Sequence, residues 1–370
     1  MCPLEGLHLE LTLQQLNRAT LARQFLLARE KTTALKAIER LVAMQAQIPR
    51  PPFIGLWSRL VGFERRQLAQ LLERREVVRA TTLRGTLHLW SAKDFLAFRA
   101  IFSSMLEKSI TLVLRDRAKG LDVQRVCDQA RSFLEAGPRT FNQIRAHLVV
   151  LNSKVDDRAM GLAVRCALQL VQVPIDAPWS FPADAQFSLA ASWLGKPTAK
   201  DPDPRPLVLR YLAAFGPASV ADMQSWSGLK GLEDAFEGLR PKLKMFCDPR
   251  GRELFDLPKA ARPDAETPAP VRFLPDFDNL VLGHADRSRI IADAHRPLIA
   301  TKNLLVPPTF LIDGFVAGTW RIDRARTSAT LTLKPFEPPA KATRAELLIE
   351  AAALLKFVEP EAARQLVAFG

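Results

Sequence analysis

The sequence predicts a mainly helical α+β fold: tandem helix-plus-ribbon units of the winged-helix kind, followed by a small C-terminal β-barrel. Three observations carry this. Apolar residues recur at helical spacing through residues 11–47, as in Leu21, Phe25 and Leu26 and again in Leu35, Ile38, Leu41 and Val42. β-Branched runs, Val77–Thr82 and Thr86–Trp90, then flank Arg84-Gly85 and read as two strands joined by a turn. Beyond residue 258 the pattern changes to short strands, with Asp313-Gly314 between apolar runs as a hairpin signal.

The first unit spans 1–118. Leu56, Leu60 and Phe63 suggest one short helix and Leu68, Leu71 and Leu72 another, while Ser91 caps a helix with Asp94 in its first turn. The second unit, 119–203, opens its recognisable part with a capping box, Thr140 and Gln143, before Ile144 and Leu148. A helix near 157–168 and a strand at 170–173 complete it. The third unit, 204–262, has a helix over 207–215, a break at Gly216-Pro217 and Ser219 capping 220–226. Its ribbon pairs 243–246 with 253–257 across Asp248-Pro249-Arg250-Gly251. The Pro/Ala-rich stretch 258–270 reads as a linker. The barrel, 263–340, is expected to use Val271–Leu274, Leu280–Leu282, Thr309–Ile312, Phe315–Trp320 and Ala329–Lys334. Residues 341–370 read as an amphipathic helical segment interrupted near Pro360.

Composition narrows the function. In 370 residues, 48% hydrophobic content supports packed cores, and no uncharged apolar run reaches the roughly 18 residues of a membrane span. Glu5 and Glu10 do not fit a signal peptide, and Cys2, Cys127, Cys166 and Cys247 lack C-x-x-C spacing, so a cytoplasmic protein with scattered thiols is expected. The net charge of +13 is uneven: residues 1–120 hold 20 Lys and Arg, 15 of them Arg, against 10 Asp and Glu. Such an excess suits a polyanion, because phosphate contacts supply most non-specific affinity for nucleic acid. A solvated basic face is the alternative.

Catalytic residue types are scarce. His8, His88, His147, His284 and His295 are isolated, and neither a Walker A nor a G-x-G-x-x-G loop is present, so no metal, nucleotide or other cofactor is expected. Asp276, Asp278 and Asp286 are expected to pair with Arg287 and Arg289 in place of holding a metal. Trp57, Trp90, Trp226 and Trp320 occupy apolar positions and read as core. What remains is Gln45-Ala46-Gln47, where a helical pattern runs into Pro49, Pro51 and Pro52. Prolines disfavour helix in the residues before them. The pair is therefore expected in a last helical turn or the loop beyond it, where two neutral amides can hold a water by donating and accepting at once.

A family resemblance gives that pair a meaning. Leu41–Pro49 with Leu56-Trp57-Ser58-Arg59-Leu60, Arg84–Leu89, Ala214–Ser219 with Trp226–Leu229, Leu274-Pro275-Asp276-Phe277-Asp278, Asp286–Arg289 and Asp313–Trp320 resemble, in order, the AlkZ/YcaQ winged-helix DNA glycosylases. His284 departs from the tyrosine commoner in that family. The resemblance implies a monofunctional glycosylase that hydrolyses the N-glycosidic bond of N7-alkylated purines, bulky or crosslinked ones included, in duplex DNA. Gln45 and Gln47 match its Gln-x-Gln catalytic element and would orient the attacking water. Arg50, Arg59, Arg79, Arg84, His88, Arg287 and Arg289 are the candidate DNA contacts, in a monomer acting on nucleoid DNA. The competing expectation is a non-enzymatic winged-helix transcriptional regulator, which would ordinarily dimerise on paired half-sites.

Overall fold

The computed structural model describes residues 9–200, 203–299 and 306–370; Cys2, Glu5 and His8 lie outside them. After a two-residue strand β1 (Leu9–Glu10), α1 (Leu13–Arg23) starts from a capping box in which Thr12 and Gln15 satisfy each other's amides. α2 (Ala34–Leu41) leads into the short strand β2 (Met44–Gln45), then α3 (Pro51–Arg59) and α4 (Arg65–Glu73). Pro51 and Pro52, expected to end a helix, begin α3 instead; proline lacks only an amide that the first turn leaves unbonded anyway. The expected ribbon is β3 (Val77–Thr81) and β4 (Leu87–Ser91), and Ser91 caps α5 (Ala92–Phe98). α6 (Ser103–Leu114) follows.

In the second group, α7 (Val123–Glu135), β5 (Arg139–Thr140), α8 (Phe141–Leu151) and α9 (Asp157–Ala167) precede β6 (Leu170–Gln172), β7 (Gln186–Leu189) and α10 (Ala190–Leu194). The third group comprises α11 (Arg205–Phe215), α12 (Val220–Ser227), α13 (Glu233–Leu239) and the hairpin β8 (Lys244–Cys247)–β9 (Glu253–Asp256). The last part is β10 (Arg272–Leu274), α14 (Asn279–Leu282), α15 (Arg296–Ile299), β11 (Thr309–Ile312), β12 (Phe315–Arg324), β13 (Ser328–Pro335), α16 (Lys341–Val358) and β14 (Arg364–Phe369).

The first two groups are not separate sheets. Their strands run β2-β4-β3-β6-β7-β5 in one six-stranded sheet, joined where Arg79 and Ala80 of β3 face Gln172 and Val171 of β6. β1 adds in parallel to the third hairpin.

Three expectations fail in the C-terminal part. The barrel is an open five-stranded sheet, β10-β11-β12-β13-β14, whose end strands do not pair with each other among the described residues. α16 packs on it through Leu347, Ala351, Leu354 and Leu355, so a helix covers the apolar face that closure would have hidden. Leu280–Leu282 is helical, because the Asp278 carboxylate accepts from the Leu280 amide and so caps the first turn of α14. The terminal segment is not all helix, since β14 returns parallel to β13 after Pro360.

Two bridges position the site. α3 puts Phe53 and Leu56 into the core of the first group and Ile54 into the C-terminal core, and Ser58 donates to the Phe273 carbonyl. α1 spans the third group and the C-terminal sheet: Arg23 forms a buried bidentate pair with Asp256, and Asn17 donates to the Gly314 carbonyl.

Candidate active site

Gln45 ends the two-residue edge strand β2 and Gln47 lies in the bend after it, so the pair sits beyond the helix and not in its last turn. Gln45 pairs with His88 across β2 and β4, and the Ala46 amide continues the ladder to the Leu87 carbonyl. Ala46, fully buried, turns into the core between them, while Gln45 is nearly fully buried and Gln47 is exposed. The segment is reached through a backbone outlier. Val42 has φ 69 and ψ −57, and the Ala43 amide bonds the Leu41 carbonyl, which makes a γ-turn of the rare positive-φ kind. A β-branched residue is strained there, and such strain persists only where surrounding packing enforces it; Val42 is entirely buried.

Each amide is held by a donor to its oxygen. Arg84 Nη2 donates to Gln45 Oε1 at 2.7 Å, and the Leu87 amide donates to Gln47 Oε1 at 3.2 Å. Those donors settle which end of each amide is oxygen and leave one lone pair on each carbonyl for a further partner. Arg84 itself sits at φ 52 in the turn of the ribbon, donates to the Trp226 carbonyl and reaches Asn279 Oδ1 at 3.4 Å. Burial, and secondarily Arg287, lowers its pKa to about 10, which leaves it cationic at neutral pH. Asn279 donates to the Ala43 carbonyl at 2.9 Å. A small cavity of about 20 Å³ adjoins Gln45, bounded also by Met44, Pro51, Pro52, Asp276, Asp278 and Asn279. That volume admits one water, for which about 10–15 Å³ suffices.

The remaining predicted contacts divide. Arg50, Arg84 and Arg287 are partly exposed around this site. Arg59, Arg79, Arg289 and His88 are buried and engage protein groups. Arg59 holds both carboxylate oxygens of Asp278 at 2.9 Å, and the Gln24 and Gly55 carbonyls as well. Arg79 donates to the Ala46 and Gln47 carbonyls at 2.8 and 3.1 Å from beneath the strand, with its guanidinium over Phe181. Arg289 donates to the Pro217 carbonyl. His88 bonds the Thr86 carbonyl through Nδ1, and burial, reinforced by Arg84, pushes its pKa well below the usual imidazole range. Its other nitrogen is buried without a hydrogen-bond partner.

The expected aspartate pairings are also replaced. Asp278 pairs with Arg59, Asp276 approaches Arg50 at 3.9 Å, and Asp286 pairs with Arg250 and Arg252. The four tryptophans are core: Trp90, Trp226 and Trp320 are buried, and Trp57 lies between Arg29 and Phe357. Five of the first segment's arginines, Arg18, Arg23, Arg59, Arg79 and Arg99, are buried, so its basic excess is partly internal.

Sequence reasoning missed two grooves. One, about 520 Å³, runs from Arg84 along Ile101, Met105 and Leu112 to Leu229, with Lys108 and Lys230 on its walls. The other, about 680 Å³, gathers Arg115, Arg117, Arg145, Arg158 and Arg165 beside Phe141. These arginines come from three helices or their ends, a convergence with no local sequence signal. Among the described residues, no group of His, Cys, Asp or Glu has metal-binding geometry, and no helix is long and apolar enough to cross a membrane.

The family description "DNA glycosylase AlkZ-like" matches residues 38–357, across the strand, the sheet and the C-terminal part. The chain belongs to the AlkZ-like DNA glycosylase family. A curated relative, the interstrand DNA cross-link repair glycosylase of Streptomyces sahachiroi, is 26% identical over 360 residues, covering 88% of this chain and 91% of the relative. The solved structure of the S. sahachiroi DNA glycosylase AlkZ superposes with a TM-score of 0.76 at 22% identity, over 98% of this chain and all of that one. As an AlkZ-like glycosylase, this enzyme has a DNA N-glycosidic bond as its target.

Proposed function

We propose that this glycosylase releases N7-alkylated purines, bulky and crosslinked ones among them, from duplex DNA, with Gln45 and Gln47 orienting the attacking water. The observation that carries the reading is the pair of carboxamides at and just beyond the end of an edge strand, each fixed by a donor to its oxygen. N7-alkylation makes the purine cationic, so its bond to C1′ breaks without a strong acid. The remaining work is to place water against C1′ and to face the positive charge that grows on the sugar. The free lone pair of each amide oxygen suits both tasks, and Arg84 and the Leu87 amide remove the rotational freedom that would blur them.

Among the described residues no lysine borders the cavity beside Gln45, in keeping with a monofunctional enzyme that leaves an intact abasic strand. The three helix-and-hairpin groups would act as winged-helix units, embracing the duplex as a monomer on nucleoid DNA in the cytoplasm. Arg50, Arg84 and Arg287 at the site and the arginine groove of the second group are the proposed phosphate contacts. Crosslink repair is the activity named for the S. sahachiroi relative, and it supports including crosslinked purines among the substrates. The test is release of N7-methylguanine from duplex DNA: Gln45→Ala and Gln47→Ala should each lower it about tenfold or more, the scale expected when one group that positions the water is removed. Undiminished release with both truncated overturns the assignment, and a sequence-specific footprint without base release would favour the regulator.

A further inference from the structure

The water-sized cavity beside Gln45 also borders Asp276, a charged group to which the glutamine mechanism gives no task. Its Oδ2 is buried and has no hydrogen-bond partner, and the nearest cation, Arg50 Nη2, stands 3.9 Å away. Asp278 on the same wall shows what a structural carboxylate looks like here: Arg59 takes both its oxygens, and one of them also caps the Leu280 amide. A carboxylate oxygen shut away from water with unused lone pairs is costly to keep. The fold holds it in place nonetheless, between Pro275 and Phe277, whose φ of 59 is stabilised by a bond from its amide to the Val306 carbonyl.

We propose that Asp276 is the anionic catalytic residue of this site, facing the cationic sugar and taking the proton of the water that Gln45 and Gln47 orient. This rests on the glycosylase reading above and supplies what that reading lacks, because a neutral amide is no base and carries no charge. In the step, the water oxygen bonds to C1′ as the C1′–N9 bond breaks. The bonding pair leaves with the alkylated purine and cancels its positive charge, while the water proton passes to the Asp276 carboxylate. From there the proton reaches solvent, since the side chain is 22% exposed. Burial raises the carboxyl above its usual range, opposed by Arg50, which makes it a better base near neutral pH. The other charged groups around the cavity, Arg59 and Asp278, neutralise each other.

The experiment is single-turnover release of N7-methylguanine from duplex DNA by the full-length protein, across pH, with thermal unfolding and DNA affinity measured in parallel. Asp276→Asn should slow release about 100-fold or more, the scale of a removed general base, and leave affinity within about threefold. Wild-type release should fall in mildly acidic solution as the carboxylate protonates, and the variant should lack that limb. Asp276→Asn should melt no lower than wild type, because the amide removes the charge from a desolvated oxygen that has no hydrogen-bond partner. A variant that matches wild-type release at every pH, or one that fails to fold, overturns the role of Asp276 and leaves the glutamine reading standing. A wild-type enzyme that releases no base overturns that reading and this inference together.

Discussion

Arg84 donates to the side-chain oxygen of Gln45 at 2.7 Å from a position 39 residues away, so the turn of the ribbon aims the first amide of the motif. The same guanidinium holds the Trp226 carbonyl and reaches Asn279, which joins three parts of the chain at one side chain. Removing it should therefore disorient Gln45 more than it weakens DNA binding. Arg84→Ala should lower single-turnover base release about tenfold, the order of a misplaced catalytic group, with a smaller change in DNA Kd. A variant whose defect lies wholly in affinity would make Arg84 a phosphate ligand only.

Arg79 supports the motif from below. Arg79→Met keeps the stem but leaves the Ala46 and Gln47 carbonyls without their donors. Urea unfolding should show a loss of about 2 kcal/mol, the scale of one unsatisfied buried acceptor, with the part-buried Gln47 carbonyl adding little. Equal stability would mean that water replaces the guanidinium fully.

His88 contributes a pH dependence with a definite sign. Its folded pKa is depressed by burial and then by Arg84, so below about 6.5 the unfolded chain binds a proton that the folded one does not. Stability is complete above that pH and falls as the solution is acidified. The slope should reach about 1.4 kcal/mol per pH unit for this group. His88→Asn should remove that increment from unfolding curves taken between about pH 6 and 5, and an unchanged slope there would contradict it.

The arginine groove of the second group tests the DNA path. Arg117→Ala and Arg158→Ala remove exposed charges from its walls. Each should weaken binding to every duplex alike and flatten the plot of log affinity against log salt by about 0.9 for each phosphate no longer neutralised. Variants with wild-type salt dependence would place the duplex elsewhere.

What the sequence made legible was local. The ribbon at 77–91, the caps at Thr140 and Ser219, and the Asp313-Gly314 turn rest on neighbouring residues, and each forms where expected. Gln45 and Gln47 stand out by resemblance, and their spacing acquires its geometry only from the pairing of Gln45 with His88. Arg59 and Arg79 read as surface cations because charge suggests exposure, whereas their partners, Asp278 and the motif's own carbonyls, are fixed by tertiary contact. The open C-terminal sheet escapes the sequence for a related reason. Strand signals count strands, but whether a sheet closes or is capped depends on a helix, α16, that follows most of them.

The continuity of β3 with β6 has a consequence for the evolution of the molecule. β3, separated by β4 from the strand that carries Gln45, is stitched to the second group through two cross-strand partners, so a gene fragment encoding only the first 118 residues would expose a bare hydrogen-bonding edge and invite self-association. Selection acts on the joined sheet as one heritable unit, and recombination between such genes should find its tolerated crossovers after Leu189, not before Leu170.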